Sequence, residues 1–337
     1  MAKINPKKIV ISRTDSIGDV ILTLPLAGIL KEQFPQAEIV FLGNTYTKPI
    51  IKCSEYVDEV WEWAVINTWP YVKQIAWLKE QNVDTFIHVF PRKELARIVK
   101  KAGVANRIGT SHRVFHLLTC NHKLNFTRKN SDLHEAQLNT KLLGPLGINR
   151  DFSLKELSSH LGFSKLPELP EKFRRLISET KKNVILHPKS QGSAVEWGVE
   201  NFMNLAKTLD INSFEVFITG TEKEAEYFRT QIPIQDNIHD LSGKMSLDEL
   251  IAFISKSDSL VAASTGPLHI AGICDIQAIG LFEERRPIHS GRWKPLGNQV
   301  FIMDSEKNSN HTQPLQIDVR LVEKAIRNTL KKIDEPN

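Results

Sequence analysis

Ile9-Val10-Ile11-Ser12-Arg13-Thr14-Asp15-Ser16-Ile17-Gly18-Asp19-Val20-Ile21-Leu22-Thr23-Leu24-Pro25 decides how this chain is read. A β-branched run gives way to a polar turn with one glycine and two carboxylates, then to an apolar helical pattern. That order is strand, turn, helix. In an open α/β sheet, ligands bind in the crevice beyond the carboxyl ends of the strands. Asp19 then projects from the first turn of a helix into such a crevice, where a carboxylate can accept a proton from a hydroxyl. The plainer alternative is that Asp15 and Asp19 cap the helix and complement its dipole. Spacing alone favours capping.

Working outward, strand and helix patterns alternate. Lys8–Ser12 reads as a strand, Gly18–Gln33 as a helix, Glu38–Gly43 as a strand and Thr47–Ser54 as a helix. Thr85–Val89 and the helix Glu94–Ala102 follow. Ser159–Lys172 carries Gly162, Pro167 and Pro170 without periodicity, which marks a linker. The alternation then restarts with strands at Asn183–His187, Glu215–Thr219 and Ser259–Ala263. Helices are expected at Val199–Leu209, Glu222–Phe228, Ser246–Ser255 and Pro267–Gly272, and helical spacing returns over Val319–Ile333. Such alternation predicts α/β architecture with mostly parallel sheets. The expected division is a first domain at 1–160, a linker at 161–175, a second domain at 176–318 and a closing helical segment at 319–337.

Bulk properties narrow the class. At 337 residues the chain suits two domains of about 150 residues. Its 41% hydrophobic and 25% charged content is ordinary for a globular protein. A net charge of +5 favours anionic partners, but no Lys/Arg run with interleaved aromatics points to nucleic acid. Cys53, Cys120 and Cys274 are far apart and form no Cys-x-x-Cys pair, which argues for a reducing compartment and against zinc or a disulfide framework. Arg13, Asp15 and Asp19 interrupt the apolar amino-terminal run, so it does not read as a secretory signal or a membrane span. The expectation is a cytoplasmic protein that rests on a membrane surface.

Two further strand-to-loop transitions could carry chemistry. Val184-Ile185-Leu186-His187-Pro188-Lys189-Ser190-Gln191-Gly192-Ser193-Ala194-Val195-Glu196-Trp197 opens from a buried strand into a small-residue loop. Its backbone amides, with Lys189 and Ser190, suit a diphosphate; an ordinary βα loop with a solvated lysine is the alternative. Asp258-Ser259-Leu260-Val261-Ala262-Ala263-Ser264-Thr265-Gly266-Pro267-Leu268-His269 ends a strand in small polar residues. Gly266 permits close backbone approach, Pro267 starts a helix, and the free amides of the first turn make an anion site with His269 one turn in.

These stretches, in this order, resemble glycosyltransferase family 9, the lipopolysaccharide heptosyltransferases. The resemblance implies the GT-B fold, with two Rossmann-like α/β domains facing a cleft and a last helix that often crosses back to the first domain. It implies that Asp19 is the catalytic base. Asp15, Gly18, Arg92, Arg113 and His134 are the candidate acceptor contacts. Arg92 and Arg113 belong to a basic stretch that suits the phosphates and acidic sugars of the acceptor, although such charge is usually a solvated face. His134, in Asn130-Ser131-Asp132-Leu133-His134-Glu135, matches the family's His-Glu element and reads equally as a cap. On the donor side the resemblance implies Lys189, Ser190, Ser264, Thr265, Gly266 and His269. Glu222, or Glu224, would lie near the nucleoside unless it caps a helix. Met245 would pack against the base unless it fills core. Members usually carry Lys or Arg two residues before the tryptophan, where this chain has Val195, and some carry Asp where it has Ser264.

The implied activity is inverting transfer of a heptose or related sugar from a nucleotide-sugar, ADP-heptose above all, to a lipid-linked core oligosaccharide. No metal or other cofactor is implied, and no Asp-x-Asp pair is present. Trp61, Trp63, Trp69 and Trp77 read as packing residues or as a loop that dips into a membrane interface. A dinucleotide-dependent oxidoreductase would share the alternation, but no Gly-x-Gly-x-x-Gly follows a strand. Val195 and Ser264 keep open a weak or inactive sugar-nucleotide-binding protein.

Overall fold

The computed structural model describes residues 4–128, 131–190, 192, 194–305 and 314–328. The chain divides into two compact units, Met1–Lys165 and Leu166–Asn337, with the division inside residues 161–175. In the first unit, β1 (Lys8–Ser12), β2 (Glu38–Gly43), β3 (Glu59–Glu62), β4 (Thr85–His88), β5 (Asn106–Thr110) and β6 (His122–Leu124) form one sheet. Its order is β3-β2-β1-β4-β5-β6, and all its pairings are parallel. The second unit holds β7 (Lys182–His187), β8 (Phe214–Ile218), β9 (Ile238–Asp240), β10 (Ser259–Ala263), β11 (Gln277–Glu283) and β12 (Val300–Ser305). They run in the order β12-β11-β10-β7-β8-β9, again all parallel.

Both sheets are therefore doubly wound, with strand order reversing between β1 and β4 and between β7 and β10. Ligand crevices form at such switch points. The central strands are apolar because both faces are covered: Ile9, Val10 and Ile11 in β1 and Val184, Ile185 and Leu186 in β7 are fully buried.

The expected helix Gly18–Gln33 is two helices, Ile17–Ile21 and Pro25–Gln33. Pro25 has no N–H to bond back into the preceding turn, so the first helix closes there and the proline opens the next. The Leu22 carbonyl freed at the break accepts a hydrogen bond from Asn139 Nδ2 at 3.0 Å. Thr47–Ser54 contracts to Lys48–Lys52 behind a short 3₁₀ turn, and Glu222–Phe228 contracts to Glu222–Ala225.

The four tryptophans pack inside the first unit. Trp61 and Trp63 are buried, and Trp77 meets Trp61 and Trp69 edge-on at 4.6 and 5.5 Å. Trp61 and Trp63 are core residues, and the half-buried Trp69 and Trp77 pack against that core. The closing helix, expected over Val319–Ile333, runs Val319–Arg327 and buries Val322 and Ile326 in the second unit's core. It packs on the helix Val199–Thr208 and on β11 within the second unit; residues 329–337, the rest of the expected closing segment, lie outside the described residues. Among the described residues, no helix is long and apolar enough to cross a membrane.

Candidate active site

At the first unit's switch point, the loops after β1 and β4 are joined. Val89 and Phe90 donate their backbone N–H groups to Ser12 O, each at 3.1 Å, and Arg92 donates to Thr14 Oγ1 and, at 2.8 Å, to Thr14 O. Ser16 caps the helix Ile17–Ile21 and places Asp19 in its first turn. The Asp19 carboxylate accepts from Arg13 Nη2 through Oδ1 and from Ser16 Oγ through Oδ2, the latter at 2.5 Å.

Arg13 is the hub of this crevice. Its guanidinium is buried and also meets Asp15 at 2.7 Å and Glu135 at 3.4 Å. Glu135 is itself buried and takes a second guanidinium from Arg128. Burial pushes the Asp15 carboxyl up from its usual range, against the pull of Arg13. The Asp15 carbonyl accepts from Tyr46 Oη at 2.5 Å, which fixes the turn. The structure thus brings Asp15, Asp19 and Arg92 to one crevice, with Gly18 buried in the helix beside them.

His134 takes the capping alternative. Its Nδ1 accepts from the Ala136 N–H at 3.2 Å, and its own N–H donates to Gln137 Oε1 at 3.1 Å. Its link to the crevice is its neighbour Glu135, on Arg13. Arg113 is exposed at the start of the helix Val114–Thr119, and no hydrogen bond or ion pair is found between it and the Arg13 cluster among the described residues. Asn130 lies outside the described residues.

In the second unit, Lys189 and Ser190 leave the end of β7, and Glu196 holds both. Glu196 Oε2 takes Lys189 Nζ at 2.5 Å, while Oε1 accepts from the Ser190 N–H at 2.9 Å and from Ser190 Oγ at 3.0 Å. One carboxylate therefore occupies both the lysine and the amide that the sequence singles out for a diphosphate. Lys189 Nζ also lies 5.3 Å from the Tyr227 ring centroid. An open cleft of about 560 Å³ is lined by Lys189, Gly192, Glu196, Thr221, Lys223, Glu224 and Tyr227. Gln191 and Ser193, from the same loop, lie outside the described residues. Val195 packs against the apolar core, next to the fully buried Trp197. The indole Nε1 of Trp197 donates to Ile317 O at 2.9 Å, anchoring the segment before the closing helix.

Beyond the end of β10, Thr265 is the N-cap of the helix Gly266–Ile273, with Pro267 in the first turn and His269 buried. Thr265 Oγ1 is buried with no hydrogen-bond partner among the described residues. A buried hydroxyl without a partner is costly, and here it stands beside the unpaired amides of a helix start. Ser264 is half-buried just before it. His187, at the end of β7, bonds Thr219 Oγ1 at 3.0 Å, and burial lowers its pKa against the pull of Glu224 and Glu196.

Of the remaining candidates, Glu222 is exposed and paired bidentately with Arg229 at 2.6 and 2.9 Å, which holds its carboxyl below the usual range. Glu224 takes the capping alternative, accepting from the Thr221 N–H at 2.7 Å and from Thr221 Oγ1 at 2.9 Å. Met245 is half-buried in the loop before the helix Leu247–Ser255. Sequence reasoning assigned no role to Arg13, Glu196 or Tyr227. Arg13 and Glu196 were visible as charges beside the quoted motif positions, whereas Tyr227 gave no signal.

Two doubly wound parallel units, each with polar side chains after its switch-point strands, are the pair of Rossmann-like domains of the GT-B fold. A solved glycosyltransferase family 9 structure from Veillonella parvula shares that fold with a TM-score of 0.75 at 16% identity, over 96% of this chain and 97% of that one. E. coli heptosyltransferase WaaC with ADP gives a TM-score of 0.72 at 16% identity, over 95% and 99%. The family model for glycosyltransferase family 9 (heptosyltransferase) matches residues 75–317, and the chain belongs to that family. Its sequence is 22% identical to the lipopolysaccharide core heptosyltransferase OpsX of Haemophilus influenzae, over 92% of this chain and 88% of that protein.

Proposed function

We propose that this glycosyltransferase moves a heptose from ADP-heptose to a hydroxyl of a lipopolysaccharide core acceptor, with Asp19 as general base. The observation that carries this reading is the Asp19 carboxylate, oriented by Arg13 and Ser16 at the β1/β4 switch point. Family membership and the heptosyltransferase relatives support the sugar, and the ADP-bound structural neighbour supports the nucleotide. Arg13 and Ser16 hold the Asp19 carboxylate, and each of its oxygens retains a second lone pair for an incoming hydroxyl.

The reaction is a single displacement. The acceptor hydroxyl gives its proton to Asp19 as its oxygen bonds to the anomeric carbon. The bond from that carbon to the diphosphate oxygen breaks on the opposite face, and the diphosphate leaves with the electron pair. In this reading Thr265 Oγ1, the amides at the start of Gly266–Ile273 and His269 receive the developing charge, a role supported by the unpartnered buried hydroxyl of Thr265 at a helix start. Arg92 and Asp15 border the acceptor side. The reading includes a cytoplasmic location at the membrane that carries the acceptor.

Asp19→Asn should lower turnover of ADP-heptose onto a lipid-linked core acceptor by roughly 10²–10⁴-fold. Near-normal turnover in that variant would remove Asp19 from the chemistry. The grip of Glu196 on Lys189 and Ser190 favours one second reading, a protein that binds sugar-nucleotides weakly without transfer. Absence of donor turnover in the wild type, despite measurable ADP binding, would select it.

A further inference from the structure

The six-residue helix Val114–Thr119 is inside out. Val114, Leu117 and Leu118 are 76%, 50% and 72% exposed, whereas its imidazole, His116, is fully buried. The spacing i, i+3, i+4 puts the three aliphatic side chains on one face. The inversion is locked. His116 Nδ1 bonds Thr110 O at 3.1 Å, and its ring lies 5.3 Å from that of His88 inside the unit. A short helix that turns its histidine inward and its leucines outward presents an apolar patch to something other than water.

Cations surround that patch. The helix Lys93–Lys101 packs against it and exposes Lys93, Arg97, Lys100 and Lys101; its one acid is Glu94. Lys100 Nζ donates to Leu118 O at 2.7 Å, joining the two helices. Exposed Arg113 precedes the patch and exposed Lys123 follows it on β6. No ion pair engages Lys93, Arg97, Lys101 or Arg113 among the described residues. Exposed aliphatic side chains ringed by lysine and arginine are the composition that seats a helix in the headgroup region of an anionic bilayer.

We propose that Val114, Leu117 and Leu118, with Arg97, Lys100 and Lys101, form the surface by which this protein docks on an anionic phospholipid membrane. A second copy fits poorly. Three aliphatic side chains are far below the area of a stable interface, about 800 Å² per partner, and self-pairing would set cations against cations. The helix begins beyond the carboxyl end of β5, on the sheet edge that also carries Asp19 and Arg92. Docking there would bring a lipid-linked acceptor to the edge where the proposed base stands. The membrane inference does not depend on the donor or on Asp19, so its test omits both.

Sedimentation with vesicles of phosphatidylcholine plus phosphatidylglycerol, against phosphatidylcholine alone, decides it. The intact protein should bind the anionic vesicles and release as salt rises. The exposed triple variant Val114→Ser/Leu117→Ser/Leu118→Ser should lose about tenfold or more in vesicle affinity with an unchanged thermal midpoint. Arg97→Glu/Lys101→Glu should lose as much by a purely electrostatic route. Wild-type binding to neutral vesicles as tight as to anionic ones, or triple-variant binding equal to wild type, would overturn the proposal. So would a wild-type dimer that fails to bind vesicles and that the triple variant dissolves.

Discussion

Glu196 shows how one side chain can change what a loop is able to bind. Lys189 and Ser190 are the proposed contacts for a diphosphate, and Glu196 holds Lys189 together with the Ser190 amide and Oγ. A phosphate must displace that carboxylate or accept its repulsion. Val195 removes a second source of positive charge and packs into the core instead. Glu196→Gln should free Lys189 for a charge-assisted contact of about 1.5–3 kcal/mol. Titration calorimetry with ADP should then show affinity rising by about one to two orders of magnitude. Weaker ADP binding in the variant would mean that Glu196 serves to hold the loop in a binding shape. Arg13 presents the opposite case: one buried guanidinium orients Asp15, Asp19 and Glu135 together.

Elements add a second layer, in which burial sets chemistry. His88 closes β4 with its ring 4.7 Å from that of Phe86 and 5.3 Å from that of His116, and burial depresses its pKa to about 3. His116 is depressed as well, for the same first reason. A histidine whose folded pKa lies below its unfolded value contributes stability that is complete above about pH 6.5 and is lost as pH falls toward about 3. By about pH 5, His88 alone should cost the first unit about 2 kcal/mol. Urea unfolding at neutral and acid pH should show that loss, and His88→Leu should shrink it; an equal loss in the variant would place the acid sensitivity elsewhere. Neither histidine was singled out from sequence, because a lone His in a βα pattern gives no sign of its depth. What was legible were the long apolar strands β1, β2, β7 and β10 and the small polar residues after them. The edge strands Glu59–Glu62, His122–Leu124 and Ile238–Asp240 are short and polar, and carried no periodicity to read. The break at Pro25 was masked by an apolar run that continues across it. At the site, residue types foretold where polar side chains cluster, but not that Glu196 would hold Lys189 or that His134 would cap its own helix, since partners distant in sequence leave no local pattern.

At the scale of the whole chain, the proposed chemistry is divided between the units. Asp19, Arg13 and Arg92 belong to the first unit's switch point, whereas Thr265, His269 and Lys189 belong to the second's. Binding and turnover should therefore separate experimentally. ADP at about a hundred times its Kd should stabilise whatever part of the chain it binds by about 2.7 kcal/mol. If that part is the second unit, ADP should protect its amides from hydrogen exchange while those around His88 in β4 exchange as before. Asp19→Asn should leave that protection and the ADP affinity unchanged while turnover falls, because in the proposed reaction the carboxylate acts on the acceptor alone. A loss of ADP affinity in Asp19→Asn matching its loss of turnover would show that Asp19 supports the nucleotide, and the base would have to be sought among the other carboxylates on Arg13.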